Sequence, residues 1–353
     1  MNLSKLEEIL ESEPAFRLAQ AKKAVFFDLI EDWNEATTLS KDLREILKKE
    51  APLEIKGKML VSKDNRTVKA AIELEDGLAV ETVLMKHTDK RNTICVSSQV
   101  GCPLGCLFCV TGKMGFKRNL KPSEIVDQVL FFARYLKKEN EPRTTGLNSE
   151  FPAVRGKKIT NIVFMGMGEP FLNWVPVKKA IQILNDDNCF GIGARKISVS
   201  TAGITEGIAK LIQDFPQINL AISLHASDDQ SRSELMPVSN EYSIAKILKS
   251  VDEYIEKTNR KVMFEYIMLK NINDSEEQAK KLAKLLKKPL YMVNLIAYNP
   301  NGRFEASSPE KTRNSKLFWK KRASLPPKDI ALAPTLKPSA DNWRGKIEGM
   351  ADM

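Results

Sequence analysis

The sequence predicts an α/β fold built on a parallel sheet and preceded by a small helical region. Three observations predict it. Apolar runs recur at residues 94–100, 159–166, 195–200, 218–224, 262–268 and 291–297, each of strand length. Amphipathic stretches of helical length separate them. Polar residues gather at the same end of the runs. Strands alternating with helices pair in parallel, and six units are fewer than the eight of a closed barrel. An open partial barrel and a doubly wound sheet both satisfy the pattern.

The elements follow in order. Residues 1–50 are expected to form an accessory helical domain. Val25, Phe26, Leu29 and Ile30 recur at helical spacing, and Ser40 is placed to cap a helix carrying Leu43, Ile46 and Leu47 on one face. Residues 51–90 alternate as strands do, in Lys69-Ala-Ala-Ile-Glu-Leu74 and Ala79-Val-Glu-Thr-Val-Leu84, and form a strand-rich extension. The main domain is expected over 91–322. Its first helix starts at Pro122, a favourable first residue, and aligns Ile125, Val129, Phe132 and Leu136. A later helix spans 274–287 with Asp274 or Ser275 as its cap. Residues 137–158 are polar and are expected to form a flexible loop. Residues 323–353 form a divergent tail.

Composition excludes several classes. The chain has 353 residues and only 5 cysteines, too few for a disulfide scaffold. His87 and His225 are its only histidines, so a multi-histidine metal site is excluded. No apolar run approaches the roughly 20 residues of a membrane span, and MNLSKLEEILESE lacks an apolar signal core. A cytoplasmic protein is expected, by default a monomer. Lys plus Arg outnumber Asp plus Glu by 55 to 45, a net charge of +10. That excess favours a polyanionic partner such as RNA, although solvated faces account for it equally well.

Three of the five cysteines fall in Cys102-Pro-Leu-Gly-Cys106-Leu-Phe-Cys109. Three thiolates in one loop hold three irons of a four-iron cluster and leave the fourth open. A zinc knuckle is the alternative, but it needs a fourth Cys or His close by, and none lies downstream. The loop follows the first apolar run. Gly166-Met-Gly-Glu-Pro170 ends the second, Ser200 and Thr201 the third, Ser223-Leu-His225 the fourth and Asn299 the sixth. In parallel α/β folds ligands bind at that edge. Singly these are a tight turn, a helix cap and a core histidine; together they mark one rim.

The blocks CVSSQVGCPLGCLFCVTGKMGFKRNL, NIVFMGMGEPFLN, GARKISVSTAGI, NLAISLHA, LMPVSN, FEYIMLKNIND and VNLIAYNP resemble, in order, the RlmN/Cfr-type RNA adenine methyltransferases, which are radical S-adenosylmethionine (SAM) enzymes. The resemblance covers roughly residues 78–300. It implies a partial, TIM-like (β/α)6 barrel. It implies that Cys102, Cys106 and Cys109 ligate a 4Fe–4S cluster whose open iron chelates SAM. Gly168 and Glu169 would contact SAM, the glycine by letting the ligand approach its bare backbone. Ser200, Ser223, Leu224, His225 and Asn299 would line the rest of the pocket. In the family SAM cleavage gives a 5′-deoxyadenosyl radical, and a methylated cysteine near the C-terminus passes its carbon to adenine. Glu81 matches the proton-accepting glutamate and Cys95 the cysteine that releases the RNA adduct. The implied activity is methylation of carbon 2 of an adenine in 23S ribosomal RNA, with transfer RNA a further substrate and Cfr-like carbon-8 methylation the alternative. The implied partners are RNA and an electron donor such as flavodoxin. Lys113, Lys117 and Arg118 are candidate RNA contacts, with basic residues of the helical domain.

One feature departs from the family. No cysteine follows Cys189 in the 353 residues, and Cys189 falls between a helix and the next strand, at the rim opposite the cluster. Lost methyl transfer, a shifted reading frame and an altered variant each accommodate this. The expectation is a chain that binds a cluster and cleaves SAM yet methylates RNA poorly.

Overall fold

The computed structural model describes residues 3–140 and 158–315; the expectations for the 323–353 tail and for most of the 137–158 loop lie outside these. Helices α1 (Leu3–Glu11), α2 (Ala15–Lys22) and α3 (Lys41–Glu50) lead the chain. The Ser40 hydroxyl accepts from the Leu43 amide and caps α3. Leu43 and Leu47 are buried, but Ile46 is 48% exposed. The buried stripe turns toward Leu47, which leaves Ile46 on its solvent edge and corrects the expected face. Leu6, Leu10 and Trp33 join the same continuous core as the helices that follow. The Trp33 indole donates to the Ala51 carbonyl at 2.8 Å.

Strands β1 (Gly57–Val61), β2 (Thr67–Glu73) and β3 (Ala79–Lys86) form an antiparallel meander. β3 pairs antiparallel with β4 (Asn92–Cys95), with Val83 opposite Cys95, so the extension continues the main sheet. A hairpin of β5 (Gln99–Gly101) and β6 (Phe116–Asn119) encloses the cysteine loop and the short helix α4 (Val110–Lys113). Then α5 (Pro122–Asn140), β7 (Asn161–Phe164), α6 (Trp174–Asn185), β8 (Ile197–Thr201), α7 (Thr205–Asp214), β9 (Asn219–Ser223), α8 (Asp229–Leu235), α9 (Ile244–Thr258), β10 (Val262–Met268), α10 (Glu276–Leu285) and β11 (Tyr291–Ala297) alternate. Lys137–Asn140, expected in a loop, is the last turn of α5. Among the described residues, β4-β7-β8-β9-β10-β11 are six neighbouring parallel strands. Strand order that follows sequence order is that of an open partial barrel, not of a doubly wound sheet, whose order reverses at a switch point.

Side chains alternate across these strands. Ile94, Ile162, Val199, Ile222, Phe264 and Val293 face the helices and are buried. They meet Ile125, Val129 and Phe132 of α5 and their counterparts on later helices in one core. The opposite face carries Cys95, Val163, Ser198, Ser200, Ser223, Glu265 and Asn294 and lines the barrel interior. Its residues are small or polar where the outer face is branched and apolar, so the interior stays open. Met165, Ser198, Ala221, Met263 and Met292 line a cavity of about 460 Å³ there. Ser275, rather than Asp274, caps α10 by accepting from the Gln278 amide.

Candidate active site

Side chains lace the carboxyl ends of the strands together. The Ser97 hydroxyl donates to the Glu81 carbonyl at 2.6 Å and accepts from the Met167 amide at 2.8 Å. The Ser97 amide donates to Gln128 of α5, whose own amide nitrogen returns a bond to the Ser97 carbonyl. Asn173 donates to the carbonyls of Ser98 and Leu120. The Gly166–Pro170 turn is thereby held against the base of the cysteine hairpin. Gly168 has φ +93°, and a Cβ there would sit 2.5 Å from Cβ of Gln99. The structure gives this glycine a further reason: the space a Cβ would take is filled by Gln99. Gln99 accepts from the Glu169 amide at 2.8 Å, so the glycine lets a protein side chain aim the turn.

Cys102, Cys106 and Cys109 are half-buried in the loop between β5 and α4. The loop is fixed from outside: the Leu107 amide donates to the Leu235 carbonyl, the Cys102 amide to the Gly115 carbonyl, and Asn301 to the Phe108 carbonyl at 2.9 Å. Burial pushes the Cys102 thiol up to about 11 and Cys106 up to about 12, with Cys109 adding repulsion to both. Three soft donors in one loop, two of them raised by burial with only Arg232 near Cys106 to oppose the rise, suit a metal centre that supplies positive charge. Among the described residues no three Cys, His, Asp or Glu side chains converge as one bare ion requires. Three thiols in one loop with no histidine or fourth cysteine in it are a donor set that suits a three-thiolate cluster better than a closed zinc site.

The other rim residues divide into two kinds. Ser200 and Ser223 stand at the ends of β8 and β9 on the interior face. Asn299 is exposed beyond β11. Glu169 is 3% exposed; its carboxylate accepts from the amides of Ala202 at 2.8 Å and Phe171 at 3.1 Å. Burial nevertheless pushes its carboxyl up to about 7. His225 has φ +58°; its Nδ1 accepts from the Ile267 amide at 3.1 Å and its ring meets Phe108 edge-on at 4.8 Å. Burial pushes its imidazole down to about 3, so it is neutral with its proton on Nε2. Leu224 is fully buried and its amide donates to the Glu265 carbonyl. Its side chain packs into the core. Thr201 is also spent locally, its hydroxyl accepting from the amides of Gly203 and Ile204.

Glu81 and Cys95 come together on the interior face of β3 and β4. Burial pushes the Cys95 thiol up to about 12, and the Glu81 charge adds to it. Lys69 of β2 forms an ion pair with Glu81. Cys189 is 2% exposed in the turn after α6, at the opposite rim. Arg118 is not a free RNA contact: its guanidinium pairs with Asp76 at 2.6 Å and forks onto Glu124 at 2.8 Å. Lys113 donates to the Asn301 carbonyl, while Lys117 is exposed.

Sequence reasoning missed Arg232. It lies on α8 with no exposed surface, and its guanidinium donates to the carbonyls of Ala202, Ser223, Leu224 and Tyr242 and to the Ser239 hydroxyl. One side chain thus ties the ends of β8 and β9 to the turn before α9. A lone arginine in Asp-Gln-Ser-Arg-Ser-Glu-Leu carries no signal of burial. Asn301 and Gln99 were missed for the same reason.

A sequence model described as the radical SAM superfamily matches residues 147–283. A probable dual-specificity RNA methyltransferase RlmN from Dictyoglomus turgidum is 41% identical over 299 residues, covering 84% of this chain and 81% of that protein. The ribosomal RNA large subunit methyltransferase N of Nitrosopumilus maritimus is 42% identical, covering 81% of this chain and 79% of that one. The chain belongs to the RlmN family of radical SAM RNA methyltransferases. The crystal structure of a radical SAM methyltransferase from Sphaerobacter thermophilus is similar, with a TM-score of 0.84 at 35% identity over 96% of this chain and 95% of that one. Radical SAM enzymes use a 4Fe–4S cluster and SAM.

Proposed function

We propose that this enzyme methylates carbon 2 of an adenine in 23S ribosomal RNA and in transfer RNA, with Cys102, Cys106 and Cys109 as cluster ligands. Gly168, Glu169, Ser200, Ser223, His225 and Asn299 hold SAM, with Leu224 supporting the turn that carries His225. The bound cluster and SAM supply the one-electron chemistry that an unreactive aromatic carbon requires. Glu81 takes a proton from the substrate ring and Cys95 resolves the adduct. The observation that carries this reading is the convergence of Glu81 and Cys95 on the interior face beside the lysine of β2, with the cysteine loop at the strand ends above them. The relatives' printed names favour the dual-specificity activity over carbon-8 methylation. RNA is gripped by exposed basic residues such as Lys117, a flavodoxin-like protein donates the electron, and the enzyme works as a cytoplasmic monomer built from the 1–50 helical domain, the 51–90 extension and the barrel.

A second reading, radical generation without methyl transfer, is not favoured by the relatives' names and is kept as the alternative that the test separates. Of the five cysteines, three belong to the loop, Cys95 lies beside Glu81, and Cys189 is buried at the far rim. The test is anaerobic reconstitution with iron and sulfide, addition of SAM, reductant and a ribosomal RNA fragment, and mass spectrometry of both products. 5′-Deoxyadenosine with 2-methyladenosine supports the first reading. 5′-Deoxyadenosine alone supports the second. Neither product from cluster-loaded protein would refute both.

A further inference from the structure

A net charge of +10 has two explanations, a polyanionic partner and solvated faces, and where the cations sit separates them. Solvated faces scatter their cations. Here cations gather at the amino ends of the barrel strands, the rim opposite the cysteine loop. Arg195-Lys196 directly precedes β8, Arg260-Lys261 directly precedes β10, and Lys287-Lys288 lies between α10 and β11. Together with the turn Phe215-Pro-Gln-Ile218 before β9, these segments hold six cations and no carboxylate.

The doublets of β8 and β10 form one patch. Asn219 opens β9 between them. Its Nδ2 donates to the Arg195 carbonyl at 2.9 Å, and its Oδ1 accepts from the Arg260 guanidinium. The strands from β8 to β11 are successive neighbours about 4.8 Å apart, so the patch runs about 15 Å along the rim. Arg195, Lys196 and Lys287 are exposed. Among the described residues these three and Arg260 form no ion pair, while Lys288 pairs with Asp252. The other acids of the adjoining turns are Asp214, which pairs with Lys178, and Asp186 and Asp187 after α6. Arg260 Nε is shut from solvent without an acceptor. An N–H left so is costly, and the side chain gains by turning its fork toward an outside acceptor. Asn219, Arg260 and Lys261 line the cavity of about 460 Å³ at its amino end, a concavity that can seat such an acceptor.

The patch lacks what a protein partner needs. Among the described residues no exposed large apolar side chain falls in these segments, whereas protein–protein interfaces are apolar and aromatic at their centre. A guanidinium fork and exposed lysines suit phosphate oxygens, and nucleic-acid interfaces are polar and strongly positive.

We propose that the amino-end rim at β8–β11 is a second RNA-contact surface, which grips backbone phosphates of the RNA flanking the target. The rim lies about 20 Å from the strand-end site, the length of the seven-residue β10. It therefore holds RNA away from the base that reacts, and it adds affinity without reading sequence. The proposal rests on the family's RNA substrate and not on which carbon is methylated.

The test is equilibrium RNA binding by the cluster-loaded full chain across a salt series. One variant combines Arg195→Gln, Lys196→Gln and Lys287→Gln. A charge-matched control combines Lys210→Gln, Lys246→Gln and Lys249→Gln, exposed on α7 and α9. The probes are a large-subunit ribosomal RNA fragment long enough to reach both rims and a stem-loop cut from it around the target adenine, too short to do so. On the long fragment the rim variant should lower the slope of log affinity against log salt by about two, from three phosphates at about 0.7–0.9 each. The control should keep the wild-type slope, and the stem-loop should bind the rim variant and wild type alike. An unchanged slope for the rim variant on the long fragment overturns the proposal, and so does an equal fall in the control or on the stem-loop. Loss of polyglutamate binding with an unchanged RNA slope assigns the rim to an acidic protein and also overturns it. In each of these cases wild-type binding of the stem-loop leaves the RNA substrate standing; wild type that binds neither RNA overturns both. Should the rim variant not fold, acetylation of wild-type lysines decides. Lys196 and Lys287 are expected to be protected by the long fragment and not by the stem-loop, and equal labelling with and without the long fragment overturns the proposal.

Discussion

Replacing Arg232 by methionine tests whether the strand-end rim is a built structure or a set of loops that happen to meet. The guanidinium makes five hydrogen bonds, to Ala202 O, Ser223 O, Leu224 O, Tyr242 O and Ser239 Oγ. Leu224 O keeps a second donor, the Ala226 amide at 2.8 Å, and loses little. Ala202 and Ser239 are each 6% exposed, and each acceptor orphaned there costs about 1–3 kcal/mol. Ser223 and Tyr242 are half-buried and recover a bond from water. Against this, methionine spares the cost of burying a charge, which is several kcal/mol before compensation. The two orphaned acceptors together cost about 2–6 kcal/mol, and because the five hydrogen bonds already compensate most of the charge-burial cost, a net loss of about 3 kcal/mol confined to the rim is expected. A loss confined to the rim is averaged out in global unfolding, so the assay is native-state hydrogen exchange. Amides of Gly203, Ile204 and Leu224–Ala226 should exchange about a hundredfold faster, while those of β4 and β7 stay unchanged. Lysine at this position should do no better, because its three donors cannot span the fork. Unchanged protection at Gly203 and Leu224 in the methionine variant would show that the clamp is idle and that the strand ends hold themselves.

Three further outcomes are expected. Gly168→Ala combines a positive φ with a clash on Gln99 and should cost about 2–4 kcal/mol, lowering the melting temperature and weakening SAM binding together; a wild-type melt would show that Gln99 moves aside freely. His225 is neutral when folded, its imidazole held near 3, while its unfolded form charges below about 6.5. The unfolded state therefore binds the extra proton, and this residue removes stability as pH falls through 6.5. His225→Gln should shift the stability difference between pH 5 and pH 7 in favour of pH 5 by about 2 kcal/mol, read by denaturant titration of the apo-protein. Glu169 and Glu265, held near 7, act oppositely, losing their contribution as pH rises from about 4.5 to 7, and they remain in both proteins. For RNA, Lys117→Ala should lower the slope of log affinity against log salt by nearly one, whereas Arg118→Gln should leave that slope intact and cost about 1 kcal/mol of stability; a reduced slope for Arg118→Gln would mean that its pairs with Asp76 and Glu124 open for RNA.

What the sequence makes legible is what depends on spacing. The six strands show because their outward faces must be apolar, and Cys102, Cys106 and Cys109 show because three thiols in eight residues have few other uses. Glycine at 168 is legible as a constraint, but its cause is not, since the atom that demands it belongs to Gln99, sixty-nine residues earlier in the chain and brought near only by the hairpin. Leu224 stands between Ser223 and His225 in sequence, yet its side chain packs into the core. Arg118 looks like a free cation until the meander supplies Asp76. Arg232 is the extreme case: in sequence it is one charge on a polar helix, and in the fold it holds the carbonyls of two strand ends and a turn. Glu265 alone left a trace, a carboxylate in the otherwise apolar Val262–Met268 strand, one position from Phe264 and therefore on the opposite face. A buried charge that breaks a strand pattern must be satisfied by something, and the Asn294 amide supplies one donor.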